Sequence, residues 1–325
     1  MPPVPAGRRS SVGADSKETV GKALEKFKQF QSGMSIGSGY KLGQMVSSGT
    51  QGDVFTCTAL FEGHTRHLAI KRVRTSKEAL CRQLLAEVAA VFHARSKHAE
   101  DSGDPHSFGH PNIVGYVDWF AGPRGAEQEV YIAMERCEFA LSDMVFTAAQ
   151  LRGQIERTHA EAKGSLERLG GRAPAPLDPA CYRVTEREVV KVMHQMLSAL
   201  AFLNTHGLMH RDIKSDNILW VAGAQPEGAY KLCDFGTAAF AREGEPGRRE
   251  TNCGTLWTMA PEMLGGRTHG PNCDSWSLGV VLFQLAALDY PFGSKELMAY
   301  RNSIEASAPG SFWPAMCGPV AGAPR

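Results

Sequence analysis

Short runs of alternating apolar and polar residues occupy the chain from residue 40 to residue 135 and predict β-strands. One helix should interrupt these strands, because Thr75 and Glu78 have the spacing of a capping box. Apolar residues then follow at helical intervals, at Leu84, Leu85, Val88 and Val91. The expected strands are Tyr40–Ser47, Val54–Phe61, His67–Val73, Val114–Phe120 and Val130–Glu135.

The apolar pattern changes to helical spacing after residue 135. Thr185 and Glu188 form a second candidate capping box, and Gly207 is the expected stop of the helix that follows. The apolar stretch 278–288 is too short to span a bilayer and predicts a buried core helix. Strands followed by helices predict an α+β protein with two lobes.

The less regular stretches suggest the domain limits. Residues 1–38 predict a flexible N-terminal tail with a short helix, since residues 1–15 are rich in Pro, Gly, Ser and Arg. We expect one folded domain over 39–325, with an N-lobe at 39–136 and a C-lobe at 137–325. Polar stretches containing Gly and Pro predict insertions near 93–108 and 146–179, the second of them partly helical.

Composition excludes some classes of function. The formal net charge is +1, which argues against a general electrostatic role on nucleic acid or anionic membranes. The eight cysteines include no C-x-x-C pair, so zinc and thioredoxin-like chemistry have little support. The N-terminus lacks the apolar core of a secretory signal. We therefore expect reduced thiols in a cytoplasmic or nuclear protein.

Two candidate sites in the strand-rich part are ambiguous by themselves. A hairpin at 46–54 contains glycines that would let backbone N–H groups approach phosphates, but an ordinary glycine-containing hairpin looks the same. Lys71 ends an apolar strand and needs an anion, and Glu87 on the next predicted helix could hold its ammonium group against phosphate oxygens. Taken alone, those two residues are better explained as a surface lysine and a surface glutamate.

The helix-rich part carries the deciding signal. The run His-Arg-Asp-Ile-Lys-Ser-Asp-Asn occupies 210–217, and Asp-Phe-Gly occupies 234–236. Phosphoryl transfer needs an acceptor for the hydroxyl proton, a cation for the moving phosphoryl group and oxygen ligands for Mg²⁺. These needs are met, in order, by Asp212, Lys214, Asn217 and Asp234.

On these motifs, roughly residues 40–292 resemble a eukaryotic protein kinase of the serine/threonine type. The resemblance implies a bilobal fold, with an antiparallel β-sheet and helix C in the N-lobe and a mainly helical, incomplete C-lobe. It implies that Lys71 contacts the α- and β-phosphates and pairs with Glu87. It also implies that Asp212 deprotonates the substrate hydroxyl, and that Asn217 and Asp234 hold magnesium ions.

The same resemblance implies a pocket for ATP. Met134 would stand at the gatekeeper position, and the backbone of Glu135 and Cys137 would hydrogen-bond the adenine. Plain core packing would also explain the apolar members of the set. The implied lining residues are Val46, Ser47, Ser48, Gly49, Thr50, Gln51, Gly52, Val54, Ala69, Lys71, Met134, Glu135, Cys137 and Leu219.

Further motifs downstream concern substrate docking and control. Cys-Gly-Thr at 253–255 and Ala-Pro-Glu at 260–262 resemble the segments that dock a peptide substrate, with Thr255 contacting the catalytic aspartate and lysine. Asp274 would brace the catalytic loop from a buried helix. Arg211 would bind a phosphate on Thr251, added by an upstream activating kinase, although a solvated loop threonine is the alternative.

Three features depart from the family pattern. Ser47 takes the place of the first loop glycine, and Thr258 stands where the family usually has an aromatic residue, which predicts altered peptide docking. After residue 292, the Pro- and Gly-rich end does not resemble the helices that complete a kinase domain. We therefore expect either a fragment or an abbreviated C-lobe.

The predicted function is a signalling enzyme that transfers the γ-phosphate of ATP, with Mg²⁺, to a protein Ser or Thr hydroxyl. The principal alternative is a non-catalytic pseudokinase, or a truncated scaffold that binds ATP or a protein partner. A small-molecule kinase of related fold is a third. The enzyme is favoured because the groups that phosphoryl transfer requires are intact, namely Lys71, Asp212, Asn217 and Asp234. The peptide-docking motifs favour a protein substrate. We expect no nucleic-acid partner and no membrane span.

Overall fold

The computed structural model describes residues 40–49, 52–61, 64–75, 110–124, 127–169, 183–223, 227–240, 254–266, 269–293, 295 and 297–299. Several sequence predictions lie outside these residues: the tail at 1–38, the helix with Glu87, the insertion at 93–108, and Thr50, Gln51 and Thr251. The proposed domain limits therefore remain predictions.

The five predicted strands are present and form one antiparallel sheet in the order β1-β2-β3-β5-β4. Each begins or ends within a few residues of its predicted bounds. The strands are β1 Tyr40–Gly49, β2 Gly52–Phe61, β3 His64–Thr75, β4 Tyr116–Arg124 and β5 Glu127–Glu135.

The sheet is so strongly curled that its opposite edges meet. Tyr40 on β1 and Phe120 on β4 are in contact, with their ring centroids 5.1 Å apart and their planes tilted by 36°. The Tyr40 hydroxyl also donates to Asp118 Oδ2 at 3.2 Å. The curl encloses one of the two hydrophobic clusters, which consists of Cys57, Ala59, Leu68, Ile70, Phe120, Tyr131 and Ala133.

The second part is mainly helical, as the sequence predicts. Helix α1 spans Leu141–Arg168, so the helical part of the predicted insertion is continuous with a helix that begins before it. Helix α2 spans Glu186–Thr205. The predicted cap is formed, because Thr185 Oγ1 accepts from Glu188 N at 3.3 Å. Past the end of α2, Gly207 has a φ of 66°, which suits a residue without a Cβ.

Two more helices and five short strands complete the described fold. Helix α3 spans Pro261–Leu264, and α4 spans Asn272–Ala287 and is the predicted buried helix. The described helices include none that is both long and apolar enough to cross a membrane. The short strands are β6 Phe139–Ala140, β7 Leu208–Met209, β8 Ile218–Val221, β9 Ala229–Leu232 and β10 Ala239–Phe240.

The larger hydrophobic cluster joins the two parts of the molecule. It includes Ile132 and Met134 from the sheet, Leu203 from α2 and Leu278 from α4. The backbones are joined as well, since Val114 N donates to Leu232 O, and Leu232 N to Asn112 O, both at 2.9 Å. The loops between the short strands therefore rest on one continuous core.

Candidate active site

The loop between β7 and β8 is positioned by helix α4. The carboxylate of Asp274 accepts the backbone N–H groups of His210 and Arg211, each at 2.7 Å, so the predicted brace is present. Burial raises the pKa of Asp274, although these donors and the charges nearby act in the opposite direction. Arg211 has a φ of 66°, a conformation that needs such external support.

A second set of contacts ties this loop to the Asp-Phe-Gly segment. The ring of His210 is fully buried; its Nε2 lies 2.9 Å from Cys233 O, and the ring meets Phe235 edge-on with centroids 4.8 Å apart. Thr237 Oγ1 donates to His210 O at 2.9 Å, and Arg211 Nε donates to Thr237 O at 2.6 Å. The sequence had predicted no role for His210, Phe235 or Thr237.

Asp212 lies at the centre of a hydrogen-bonded triangle. Its Oδ2 is 2.9 Å from Lys214 Nζ, and its Oδ1 accepts from Thr255 N at 2.8 Å and from Thr255 Oγ1 at 3.0 Å. Lys214 Nζ also donates to Thr255 Oγ1 at 2.8 Å. The predicted contacts of Thr255 with both residues are therefore present, and the carboxylate is fixed in orientation.

Asn217 lies next to this triangle, in a 3₁₀ turn over Ser215–Asn217. Its amide nitrogen donates to Asp212 O at 2.8 Å and to Asp212 Oδ2 at 3.2 Å. Because the nitrogen is used in this way, the amide oxygen is the atom left to bind a cation. Cys233 N donates to Asn217 O at 2.9 Å and brings the Asp-Phe-Gly segment alongside.

Lys71 and Asp234 meet across the cleft between the two parts of the molecule. Lys71 Nζ lies 2.8 Å from Asp234 Oδ1, and the side chains are 10% and 20% exposed. Burial alone would raise the pKa of Asp234, but the charge and hydrogen bond of Lys71 hold it below its usual range. Asp234 is therefore ionised near neutral pH. The predicted partner Glu87 lies outside the described part of the chain.

The donor atoms of Asn217 and Asp234 fit a magnesium ion. Mg²⁺ prefers hard oxygen ligands, and it is often held by one or two protein groups together with phosphate oxygens and water. One amide oxygen and one ionised carboxylate satisfy that preference.

Four of the predicted nucleotide residues, Val54, Ala69, Lys71 and Met134, lie on one face of the sheet. Val54 pairs with Lys71, and Ala69 with Met134, in the ladders of β2, β3 and β5. Cross-strand partners project from the same face of a sheet, so these side chains share the surface above the cleft. Leu219 on β8 packs against the larger core cluster.

Glu135 and Cys137 form the connection between sheet and helices. Glu135 N donates to Gly115 O at 2.8 Å, so this N–H group is used in a bond to the segment before β4. The Glu135 side chain accepts from Lys231 Nζ at 2.8 Å and from Gly115 N at 3.1 Å, a role that sequence analysis missed. Burial raises the pKa of the Cys137 thiol to about 12, so this thiol is protonated near neutral pH.

The phosphate-side residues are more exposed. Val46, Ser47 and Ser48 are all exposed on β1, and the β1–β2 ladder continues to the pair of Gly49 with Gly52. The described ends of the predicted hairpin therefore lie opposite each other, and Val54 on β2 is the cross-strand partner of Lys71.

Thr258 is buried against helix α4. It is 2% exposed, and its carbonyl accepts from Ser277 Oγ of α4 at 2.7 Å. The neighbouring Trp257 instead stacks on Tyr290, with ring centroids 5.3 Å apart. The altered docking predicted from Thr258 stays a prediction, and an aromatic side chain is present one residue earlier.

A curled five-stranded sheet above a helical part, with Lys71, Asp212, Asn217 and Asp234 gathered between them, is the architecture of a protein kinase. A family model described as the protein kinase domain matches residues 40–309, and the chain belongs to this family.

Similar proteins are serine/threonine kinases. The chain is 29% identical to the serine/threonine-protein kinase PAK mbt of Drosophila melanogaster, over 76% of this chain and 30% of that protein. It is 28% identical to the serine/threonine-protein kinase STE20 of Saccharomyces cerevisiae, over 76% of this chain and 20% of that protein. It is 27% identical to the serine/threonine-protein kinase pakC of Dictyostelium discoideum, over 78% of this chain and 42% of that protein. The matched region thus spans less than half of each of these curated relatives.

Proposed function

We propose that this chain transfers the γ-phosphate of ATP to a serine or threonine hydroxyl of a protein substrate. The observation that carries the proposal is the triangle of Asp212, Lys214 and Thr255. It places a proton acceptor and a cation side by side, on the same cleft as the ion pair of Lys71 and Asp234. Protein kinases generally use ATP and Mg²⁺, and the donor set fits both.

The residues have distinct roles in this reaction. Asp212 accepts the proton of the substrate hydroxyl as its oxygen forms a bond to the γ-phosphorus. The bond from that phosphorus to the bridging oxygen breaks, and ADP leaves with the electron pair. Lys214 stabilises negative charge on the moving group, and Lys71 orients the α- and β-phosphates. Magnesium held by Asn217 and Asp234 would neutralise phosphate charge.

The choice of a hydroxyl on a protein rests on Thr255 and on the relatives. Thr255 bonds both catalytic side chains and begins the segment that resembles the peptide-docking region of the family. The similar proteins are named as serine/threonine-protein kinases. We propose that the substrate is a protein in the cytoplasm or nucleus, within a signalling pathway.

A test of the proposal compares the full chain with Asp212→Asn. With radiolabelled ATP-Mg and a generic protein substrate, we expect phosphate incorporation by the parent chain and about a thousandfold less by the variant, since the proton acceptor is lost. ATP affinity should be equal in both. A folded parent chain that binds ATP and transfers no phosphate would instead show a scaffold.

Control by phosphorylation is a separate proposal. Arg211 Nε donates to Thr237 O, so the guanidinium group is anchored beside the catalytic loop. A phosphate on Thr251 could pair with its outer nitrogens and order the loop around residue 251. We expect an upstream kinase to activate the chain severalfold and Thr251→Ala to abolish that increase. Equal activation of Thr251→Ala would exclude this residue as the site.

A further inference from the structure

A single carboxylate joins three strands behind the glycine hairpin. Asp53 on β2 lies opposite Ser48 on β1 and opposite Arg72 on β3. Ser48 Oγ donates to Asp53 Oδ1 at 2.7 Å, and Arg72 Nη2 lies 2.8 Å from Asp53 Oδ2. Each carboxylate oxygen of Asp53 is therefore bonded to a different neighbouring strand.

Packing holds this ion pair in one geometry. The side chains of Arg72 and Asp53 are 15% and 23% exposed, and the guanidinium carbon lies 4.6 Å from the centre of the Phe55 ring. Hydrogen bonds from Arg72 and Ser48 hold the pKa of Asp53 below its usual range. The pair is thus more ordered than a typical exposed pair, whose long side chains lose entropy on pairing.

The pair lies directly behind the phosphate side of the cleft. Successive residues of a strand point to opposite faces. Val54 and Lys71 face the cleft as cross-strand partners, so Asp53 and Arg72 occupy the reverse face one residue away. Gly52 has a φ of 125°, and a Cβ there would come within 2.4 Å of Arg72 O. The hairpin therefore rests against the backbone of the strand that carries Lys71.

We infer that Asp53 and Arg72 are positioning residues that hold the glycine hairpin at a fixed distance from Lys71. The inference rests on the proposed function, since it assigns the hairpin to the phosphates of ATP. Without the ion pair, the hairpin must be ordered when the nucleotide binds, and that ordering weakens binding. The effect should be confined to ligands with phosphates, because adenosine would meet the hairpin only at Val46 and Val54, which belong to the paired strands.

The test measures ATP-Mg, ADP-Mg and adenosine binding by calorimetry, together with KM and kcat, for the full chain and for Asp53→Ala. We expect the variant to raise the Kd and KM for ATP about three- to tenfold, as for loss of one charge-assisted hydrogen bond. The adenosine Kd and the kcat at saturating ATP should stay the same. The exchanged pair Asp53→Arg with Arg72→Asp should recover part of the ATP affinity.

A control comes from an ion pair in the helical part of the molecule. Arg187 of α2 pairs with Glu227, and neither residue belongs to the five-stranded sheet. Arg187→Met should leave the ratio of ATP to adenosine affinity unchanged. The inference is overturned if folded Asp53→Ala keeps the parent ratio, or if Arg187→Met changes the ratio as much. Nucleotide binding without phosphate transfer would contradict the proposed function alone, and a folded parent chain that binds no nucleotide would overturn both.

Discussion

Four donors surround the carboxylate of Asp212, and each oxygen receives two of them. Thr255 N and Oγ1 hold Oδ1, while Lys214 Nζ and Asn217 Nδ2 hold Oδ2. A carboxylate restrained in this way keeps one orientation toward an incoming hydroxyl, which lowers the entropic part of the barrier. For the proposed reaction, we therefore expect Thr255 and Asn217 to affect the rate by orienting Asp212, without touching the substrate.

Thr255→Ala tests that restraint. The variant removes the hydroxyl that links Lys214 to Asp212 and keeps the backbone N–H bond. We expect kcat to fall about tenfold, as for loss of hydrogen bonds to charged groups, with little change in the KM for ATP. Thr255→Ser is the control, because it retains the hydroxyl and should remain near the parent activity. Equal kcat for Ala and Ser would show that the hydroxyl is unimportant.

The ion pair of Lys71 and Asp234 gives a pH-dependent prediction. In the parent chain the pKa of Asp234 is lowered, so its contribution to stability is present above its unfolded value, about 3.9, and is lost as pH falls through the folded value. In Lys71→Met, burial dominates and the pKa rises. Protonation of Asp234 should therefore stabilise the Lys71→Met variant as the pH falls. The difference in unfolding free energy should therefore shrink from pH 7 to pH 4, measured by urea denaturation. A constant difference would contradict the assignment.

The motifs around Asp212 and Asp234 were recognisable because each is set by a few neighbouring residues. The contacts of Thr255 with Asp212 and Lys214 span 43 and 41 residues, and they were predicted only because the family resemblance implied them. The pairs Asp53–Arg72 and Glu135–Lys231 were not predicted. Their members are 19 and 96 residues apart, and charged residues at such separations carry no local pattern that marks them as partners.

At the scale of helices and strands, a feature set by neighbouring residues was predicted, and a feature set by distant contacts was not. Thr185 was predicted to cap α2, and it does, because a capping box is defined within four residues. The curl that brings Tyr40 onto Phe120 could not be predicted, since alternation along a strand specifies its two faces and not the shape of the whole sheet. Each strand was therefore found, and the resemblance correctly implied an antiparallel sheet, but the curl of that sheet was not predicted.

Helix α4 acts on the catalytic loop through one carboxylate, which makes Asp274→Asn informative. The amide can accept only one of the two N–H groups well, so the other is left facing an NH₂ group. We expect a loss of about 2 kcal/mol in unfolding free energy, typical of a buried unsatisfied donor. The positive φ of Arg211 should relax at the same time, lowering kcat more than it changes the KM for ATP.

The measurements for this variant are chemical denaturation and steady-state kinetics. Ser277→Ala, which removes a hydrogen bond from the same helix to Thr258, is a comparison of similar burial that leaves the catalytic loop untouched. It should lower stability and leave kcat nearly unchanged. If both variants reduce kcat equally, the helix has only a general structural role.

At the scale of the whole molecule, the two edge strands of the sheet are in contact with each other. Tyr40 and Asp118 make that closing contact, and burial together with Asp118 raises the pKa of Tyr40 well above its usual range. Tyr40→Phe keeps the ring contact with Phe120 and loses the hydrogen bond. We expect it to lower the unfolding free energy by about 1 kcal/mol, seen as a lower urea midpoint. An unchanged midpoint would mean that the ring contact alone closes the sheet.

The ion pair of Glu135 and Lys231 joins the sheet to the helical part of the molecule. The carboxylate belongs to the end of β5 and the ammonium to β9, and their side chains are 23% and 9% exposed. Because Glu135 also accepts from Gly115 N, its side chain connects β9, the end of β5 and the segment before β4. The pair therefore fixes the angle at which the sheet meets the helical part.

A double-mutant cycle separates this geometric role from mere stability. Lys231→Met leaves a carboxylate at the hinge without its cation and should cost about 2–3 kcal/mol of unfolding free energy, less than for a fully buried pair because Glu135 is partly exposed. Adding Glu135→Gln should recover part of that loss, since no unpaired charge remains. Lys231→Met should also weaken adenosine binding, because the ion pair no longer holds the hinge. The double variant should bind adenosine as weakly, because it also lacks the ion pair. Full recovery of adenosine binding would show that the charge, and not the connection between the lobes, was what mattered.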